Sequence, residues 1–482
     1  MDKSVNTVIE LYRKYKNNEF VIEKLNESIC NKLPIESICW YKENEKKNTS
    51  SKEKYINSFM KGKMQYYYIS KTDLYIQYDG KNYLQIDEDE LLYKILSKIT
   101  KKKNLLNDKQ AIKDIIINKI KSTHIKDGIP ESQTIQYIIK LFYPILFKTK
   151  AEAKYFLTIL GDNILNKKCK MTHILRNSSK IFLNHILFCY KDYFNSDNII
   201  SSFKLDKFLN NEPYGNFRLI DFIDSINSQA YWKFFVEEHI LNIVSVAIHY
   251  SQRYDNSETF LSEKVDCDVN NILFFEKNNQ DDIVNMFCNN YLTDISGSKI
   301  EEHEINYIWF KFLENKNIPE LFDDYFLQKK LQKLCKTKKI GMENNAILNK
   351  SHENIHIFRK FLEFWNEKII LDINDEIEIS EIFYFFKKYS GIKTTNEREL
   401  LKIIEMLYPF INITNNKTIF GYKCKEWDKR NSIKKTINSL AIEKDISKID
   451  LYKKYCKKVK KNNMVVGKTY FLENIESILN EN

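Results

Sequence analysis

Apolar residues recur every three or four positions through the middle of the chain, and this spacing constrains the fold more than any other feature of the sequence. Ile112 and Ile116 share one face of a predicted helix. Thr149 and Glu152 have the spacing of a capping box at the start of another helix. Residues 232–250 are apolar nearly all round, which is typical of a buried central helix. The middle of the chain is therefore predicted to be a helical domain.

The segments on either side have a different spacing of apolar residues. Alternating stretches around the hairpin signal Asp79-Gly80 predict strands in the first 90 residues. Residues 378–407 predict two successive helices, and two short strands are predicted around Asn415-Asn416. Helix, helix and hairpin is the order of a winged helix, in which the second helix lies in a DNA groove and the hairpin contacts the backbone. No internal repeat is evident from the sequence.

Together these patterns predict a mainly α fold with small β elements (α+β). Hydrophobic residues make up 43% of the chain, which is enough for a large core. The predicted domains are an N-terminal mixed α+β module, a central helical domain, a winged-helix-like domain and a basic helical tail domain, at residues 1–90, 91–345, 346–425 and 426–482.

Composition and cysteine usage predict where the protein acts. No apolar run approaches the roughly 20 residues that span a bilayer, and the first 20 residues lack the apolar core of a signal peptide. Nine cysteines, none closely paired, indicate free thiols in a reducing compartment. We therefore expect an intracellular protein without a membrane partner. The net charge of +11 is weak evidence for nucleic acid, because the abundance of Lys, Asn and Ile also reflects an AT-rich genome.

Two strings resemble catalytic motifs. His352, Glu353 and His356 match H-E-x-x-H, which on a helix would place the two histidines on one face as zinc ligands, with Glu353 as general base. Lys350 is a charge where such sites are usually apolar, so we expect both histidines on a solvated face and no metal. Gly467-Lys468 mimics the end of a Walker A loop, but the earlier glycine that the loop requires is Asn462. We expect no cofactor.

Residues 425–468 form a basic cluster, with fourteen Lys and Arg against five acids. The cluster directly follows the predicted hairpin, and lysines on one helical surface attract phosphates; a solvated face enriched in lysine by codon bias is the alternative. The second predicted helix of the winged-helix-like domain supplies candidates for base contacts. The predicted nucleic-acid-binding residues are Lys425, Arg430, Lys434, Lys435, Lys453, Lys454, Lys457, Lys458, Lys460, Lys461 and Lys468 in the cluster, with Arg398 and Lys402 on that helix.

Several strings also resemble known proteins. Residues 129–136 (IPESQTIQ), 153–162 (AKYFLTILGD) and 249–254 (HYSQRY) resemble a family from nucleocytoplasmic large DNA viruses, over the chain from about residue 94 onward. In the tail, residues 451–456 (LYKKYC) and 465–471 (VVGKTYF) are similar to C-terminal DNA-binding segments of poxvirus-type primase–helicases. The first resemblance implies a viral setting. The second implies DNA binding without the helicase motor, whose phosphate loop this chain lacks.

These observations predict a non-enzymatic nucleic-acid-binding factor in viral genome replication or transcription. DNA is expected rather than RNA, with viral replication or transcription proteins as further partners. The setting would be the host cytoplasm or nucleus, or a viral replication compartment. The alternatives are a zinc-dependent hydrolase that uses the H-E-x-x-H site, and a structural scaffold that binds other viral proteins.

Overall fold

In the structure, a computed structural model, the chain folds into two compact units. One unit is Met1–Leu205 with Asn216–Phe275, and the other is Asp206–Gly215 with Glu276–Asn482. The predicted boundaries at residues 90, 345 and 425 do not coincide with this division. The described residues are 2–100, 105–168, 170–204, 212–223, 229–263, 271–334, 337–340, 344–414, 417–440, 446–459 and 464–480.

The first unit is built mainly from helices, with two small sheets. An antiparallel sheet has the order β1-β2-β3, and a parallel sheet has the order β5-β4-β6. The strands are β1 (Gln65–Ile69), β2 (Leu74–Tyr78), β3 (Tyr83–Ile86), β4 (Thr172–Leu175), β5 (Phe203–Lys204) and β6 (Phe217–Ile220). The helices are α1 (Asp2–Lys14), α2 (Glu19–Asn26), α3 (Leu33–Met60), α4 (Glu88–Ile99), α5 (Lys109–Lys121), α6 (Ser132–Phe142), α7 (Lys150–Ile164), α8 (Asn177–Phe194), α9 (Gln229–Tyr254) and α10 (Ser257–Glu263).

One core joins the N-terminal sheet to the central helices, which explains why residue 90 is not a division between units. Tyr83 on β3 is buried in the same cluster as the apolar face of α9. Its backbone N–H donates to the Asn242 side chain on α9 at 2.7 Å. Helices α7 and α9 meet at Gly161, where a Cβ would overlap the carbonyl of Ala247. The capping box of Thr149 and Glu152 is present at the start of α7, as predicted.

The second unit combines helices with two antiparallel three-stranded sheets. The strands are β7 (Thr293–Glu301), β8 (Thr337–Ile340), β9 (Asn344–Ser351), β10 (Ile369–Glu378), β11 (Ile413–Thr414) and β12 (Thr418–Cys424). Helix α11 (Phe274–Lys277) contains the sequence boundary between the units. The remaining helices are α12 (Gln280–Met286), α13 (Glu302–Asn315), α14 (Asp324–Leu334), α15 (Asn354–Lys368), α16 (Ile379–Ser390), α17 (Glu397–Leu407), α18 (Lys429–Asn438), α19 (Lys448–Lys458) and α20 (Lys468–Asn480).

Residues 280–351 and 354–424 repeat one arrangement, and we call them module A and module B. Each runs helix, long strand, helix, helix, short strand and strand. The sheet orders are β7-β9-β8 and β10-β12-β11, so in each module the first strand pairs with the last. The first strand also carries a register irregularity in the same place, after Asp294 in β7 and after Leu371 in β10. The expectation of no internal repeat was therefore wrong.

Helices α18, α19 and α20 follow module B and enclose a core of their own, which includes Ile433, Leu451, Tyr455 and Phe471.

The predicted fold class, mainly α with small β elements, is confirmed, since 64% of the structure is helical and its sheets are small. In the described part of the chain, no helix has the length and apolar content needed to cross a membrane.

Candidate nucleic-acid interface

The second helix of each module begins with a pair of glutamates that cap it. Glu301 and Glu378 are the N-cap residues of α13 and α16. The Glu301 N–H donates to the Glu304 carboxylate at 2.8 Å, and the Glu378 N–H donates to the Glu381 carboxylate at 3.0 Å. These capping boxes satisfy backbone donors that a helix start otherwise leaves unpaired. They also bury Glu304 and Glu381, which are 3% and 2% exposed.

Each buried glutamate is paired with a cation from the first helix of the segment that follows it. Arg359 on α15 donates to Glu304 from Nε at 2.5 Å and from Nη2 at 3.0 Å. Lys429 on α18 lies 2.8 Å from the Glu381 carboxylate. Module A is thus tied to module B, and module B to the tail helices, by ion pairs at equivalent positions.

The pair in module B is the more deeply buried. The side chain of Lys429 is 4% exposed, whereas that of Arg359 is 50% exposed. Lys429 also donates to the Glu376 carbonyl at 2.8 Å and lies 4.6 Å from the centre of the Tyr470 ring. Burial raises the pKa of Glu381 to about 7, against an opposing effect of Lys429. Lys429 therefore belongs to the core, and the basic cluster presents one cation fewer than its sequence indicates.

The third helix of module B, α17, packs against α13 of module A. Tyr307 donates to Glu399 at 2.5 Å, and Lys311 lies 3.2 Å from the same carboxylate. Lys402 lies 3.6 Å from Glu320 and 5.0 Å from the centre of the Phe310 ring. The face of α17 that carries Glu399 and Lys402 is therefore engaged within the chain.

The two predicted base-contact residues consequently differ in their surroundings. Arg398 is exposed, but Glu397 beside it on α17 is exposed as well. Lys402 is only partly exposed and is held by the contacts to α13 and to the loop that follows it. A helix that presents this mixture of charges is a poor match for phosphates, because its acids repel the DNA backbone.

Most of the predicted tail lysines lie at the surface. Lys453, Lys457 and Lys458 are exposed on α19, and Lys454 is partly exposed beside them. Lys453 pairs with Asp450 at 2.9 Å. Lys435 is exposed on α18, and Lys468 is exposed at the first residue of α20. Lys460 and Lys461 lie outside the described residues.

Three further predicted residues line one groove. Lys425, Arg430 and Lys434 border a cavity of about 600 Å³ beside β10, β12 and α18. The groove also contains acidic residues, and it is therefore mixed in charge. Asp372 within it lies 2.6 Å from the Lys423 ammonium. Because acidic and basic side chains both line this groove, its charge does not favour the binding of an anion.

The H-E-x-x-H string does not form the helical pair that a zinc site would need. Helix α15 begins at Asn354, so His352 precedes it and only His356 lies within it. The His352 ring stacks on Tyr291 at 4.4 Å, its Nδ1 accepts from the Asn354 N–H, and burial lowers its pKa. His356 is exposed. Within the described ranges, no group of three or more His, Cys, Asp and Glu side chains could hold a metal ion.

The glycine of the Walker-like string allows close packing against a neighbouring side chain. Gly467 immediately precedes α20, and a Cβ there would overlap the Glu378 carboxylate. The start of α20 thus faces a carboxylate from module B. An acidic side chain at a helix N-terminus occupies the position where a phosphate would bind.

The sequence itself contains a signal for the repeat of modules A and B. Six residues of module A recur 77 positions later in module B, in a pattern that spans the end of the long strand and the start of the next helix. They are Ile300, Glu301, Glu304, Ile305, Tyr307 and Lys311, which match Ile377, Glu378, Glu381, Ile382, Tyr384 and Lys388. The two isoleucines of each set are buried.

Comparison with protein families, curated proteins and solved structures gives no match to this chain.

Proposed function

We propose that this chain is a non-enzymatic DNA-binding factor, in which module B is a winged-helix domain and the tail helices attach it to the phosphate backbone. The observation that carries the proposal is the order of elements in residues 354–424, with the first strand paired to the last. That order is the one found in winged-helix domains, a fold used to bind DNA. The tail helices follow directly and expose lysines on α19.

The viral setting belongs to the same proposal and rests on the sequence resemblance alone. A factor in genome replication or transcription would bind DNA largely through phosphates, because these contacts give affinity without restricting sequence. A zinc hydrolase is not supported by the geometry, because His352 lies outside the helix that carries His356. A scaffold for other viral proteins would leave the exposed lysines without a ligand.

The test is a titration of the full chain with a labelled DNA duplex at several salt concentrations. Replacing Lys453, Lys454, Lys457 and Lys458 by Glu is expected to weaken binding on all sequences alike. If all four contact phosphates, the slope of log affinity against log salt loses about 3–4 units. A control replaces four exposed lysines of the first unit, and therefore changes net charge equally: Lys16, Lys71, Lys140 and Lys233.

Two results would contradict the proposal. Failure of the unaltered chain to bind duplex DNA even at low salt would make the scaffold the leading function. Equal binding by the tail variant and its control would show that α19 does not contact DNA.

A further inference from the structure

The third helix of module A, α14, exposes its outer face, whereas its counterpart α17 is packed against α13. Leu327, Gln328 and Leu331 are buried and form its inner face. Tyr325 is 77% exposed, and Lys329, Gln332 and Lys333 are also exposed. At 100° per residue, the four exposed side chains fall within an arc of about 100°. They therefore form one stripe, which we call the α14 stripe.

The position and charge of the α14 stripe suit a DNA groove. The major groove of B-DNA is about 12 Å wide and admits an α-helix, whose diameter with side chains is about 10–12 Å. Neither Lys329 nor Lys333 has an ion-pair partner among the described residues, so both charges are available to a ligand. Lys330, by contrast, lies 2.5 Å from Asp281 and is used within the module.

The two modules differ more in net charge than in fold. From the start of the third helix to the end of the last strand, module A has seven lysines against two acids. The equivalent part of module B, residues 397–424, has four basic residues against three acids. Module A thus combines an exposed third helix with a clear excess of positive charge. In module B the third helix is packed against α13 and the charges nearly balance.

We infer that module A is a second winged-helix domain and that α14, rather than α17, enters the major groove of duplex DNA through the α14 stripe. This inference rests on the proposed DNA-binding function and names the surface that performs it. Lys329 and Lys333 contact phosphates or guanine edges, and the Gln332 amide can pair with adenine N6 and N7. Tyr325 donates its hydroxyl to a phosphate. Helix α17 serves instead to pack module B against α13.

The inference is tested with the full chain and a fluorescent 20-base-pair DNA duplex, by anisotropy over a salt series. The variant Lys329→Glu/Lys333→Glu is compared with Lys388→Glu/Lys393→Glu, which changes two exposed lysines of module B. The α14 variant should bind at least about tenfold more weakly, with a salt slope smaller by about 2. The control should change affinity by less than about threefold. Because all four lysines are exposed, both variants should keep the circular-dichroism melting curve of the unaltered chain.

A second measurement tests groove entry separately from charge. Gln332→Ala should lower affinity about tenfold for a duplex selected by the unaltered chain from a random library, and leave affinity for a random duplex unchanged. Duplex RNA should compete poorly, because its major groove is too narrow to admit a helix.

The outcomes separate this inference from the proposed function. Equal weakening by the α14 variant and its control would overturn the inference, since it would reveal only general attraction. Weakening by the tail variant without weakening by the α14 variant would overturn it too, and leave the proposed function standing. Equally strong competition by duplex RNA would exclude the major groove. If the unaltered chain binds no duplex DNA, the proposed function and the inference both fail.

Discussion

Replacing Lys429 by methionine tests how strongly the tail helices are held to module B. Methionine keeps most of the aliphatic length of lysine but leaves the Glu381 carboxylate, whose side chain is 2% exposed, without its cation. Removing one partner of a buried ion pair costs about 3–5 kcal/mol, because the interior must then hold an uncompensated charge or bind a proton to neutralise it. This range includes about 1 kcal/mol for the lost hydrogen bond to the Glu376 carbonyl.

The expected cost depends on pH. Burial raises the pKa of Glu381 from 4.5 to about 7, and Lys429 opposes that rise. Without Lys429, the pKa in the folded state is higher still, while the unfolded chain keeps its ordinary value. The folded variant then holds a proton that the unfolded chain has lost, so its stability falls as pH rises from about 4.5 through the folded pKa. The deficit relative to the unaltered chain should be smaller at pH 5 than at pH 8.

Native-state hydrogen exchange of peptides from α16 and α18 is the assay, because it reports local opening within one unit of a two-unit chain. A loss of 3–5 kcal/mol corresponds to exchange faster by about 10²–10⁴-fold, after correction for intrinsic rates at each pH. Adding Glu381→Gln to the Lys429→Met variant should recover much of the loss, since a glutamine can still accept the capping hydrogen bond from the Glu378 N–H.

Arg359→Met in module A is the matched comparison. Its partner Glu304 is equally buried, but the arginine side chain is 50% exposed and water can replace it. We expect a loss of about 1–3 kcal/mol. Three results at pH 8 would refute this interpretation of the ion pair: a cost of Lys429→Met below about 1 kcal/mol, no recovery on adding Glu381→Gln, or a larger cost of Arg359→Met than of Lys429→Met.

Three further predictions concern separate features. Metal analysis of the purified chain should find no stoichiometric zinc; one zinc per chain, lost in His352→Ala, would reverse this assignment. Lys468→Ala should leave any ATP binding measured by calorimetry unchanged, because the start of α20 faces the Glu378 carboxylate; loss of tight binding would contradict this interpretation. Gly161→Ala should lower the free energy of unfolding of the first unit by about 1–3 kcal/mol, since the added Cβ would overlap the Ala247 backbone; unchanged protection of α7 and α9 against hydrogen exchange would count against it.

Local signals determined much of the secondary structure. The capping box at Thr149, the turn at Asp79-Gly80 and the apolar segment within α9 all lie in the elements that they predicted. Such signals act over one or two helical turns, so neighbouring residues carry them completely. The spacing of the glycines likewise excluded a phosphate loop from the sequence alone.

Tertiary structure decided which surfaces remain available. The pattern of α17 predicts a DNA-facing helix, and the structure adds that one of its faces is used within the chain, where Tyr307 and Glu399, 92 residues apart in sequence, join it to α13. Lys429 counts as part of a basic cluster in the sequence, whereas folding pairs it with Glu381 in the interior. Both outcomes depend on contacts between residues far apart in the chain. Burial converts a charge from a ligand for phosphate into a partner for a buried carboxylate, because the interior does not tolerate an unpaired ion.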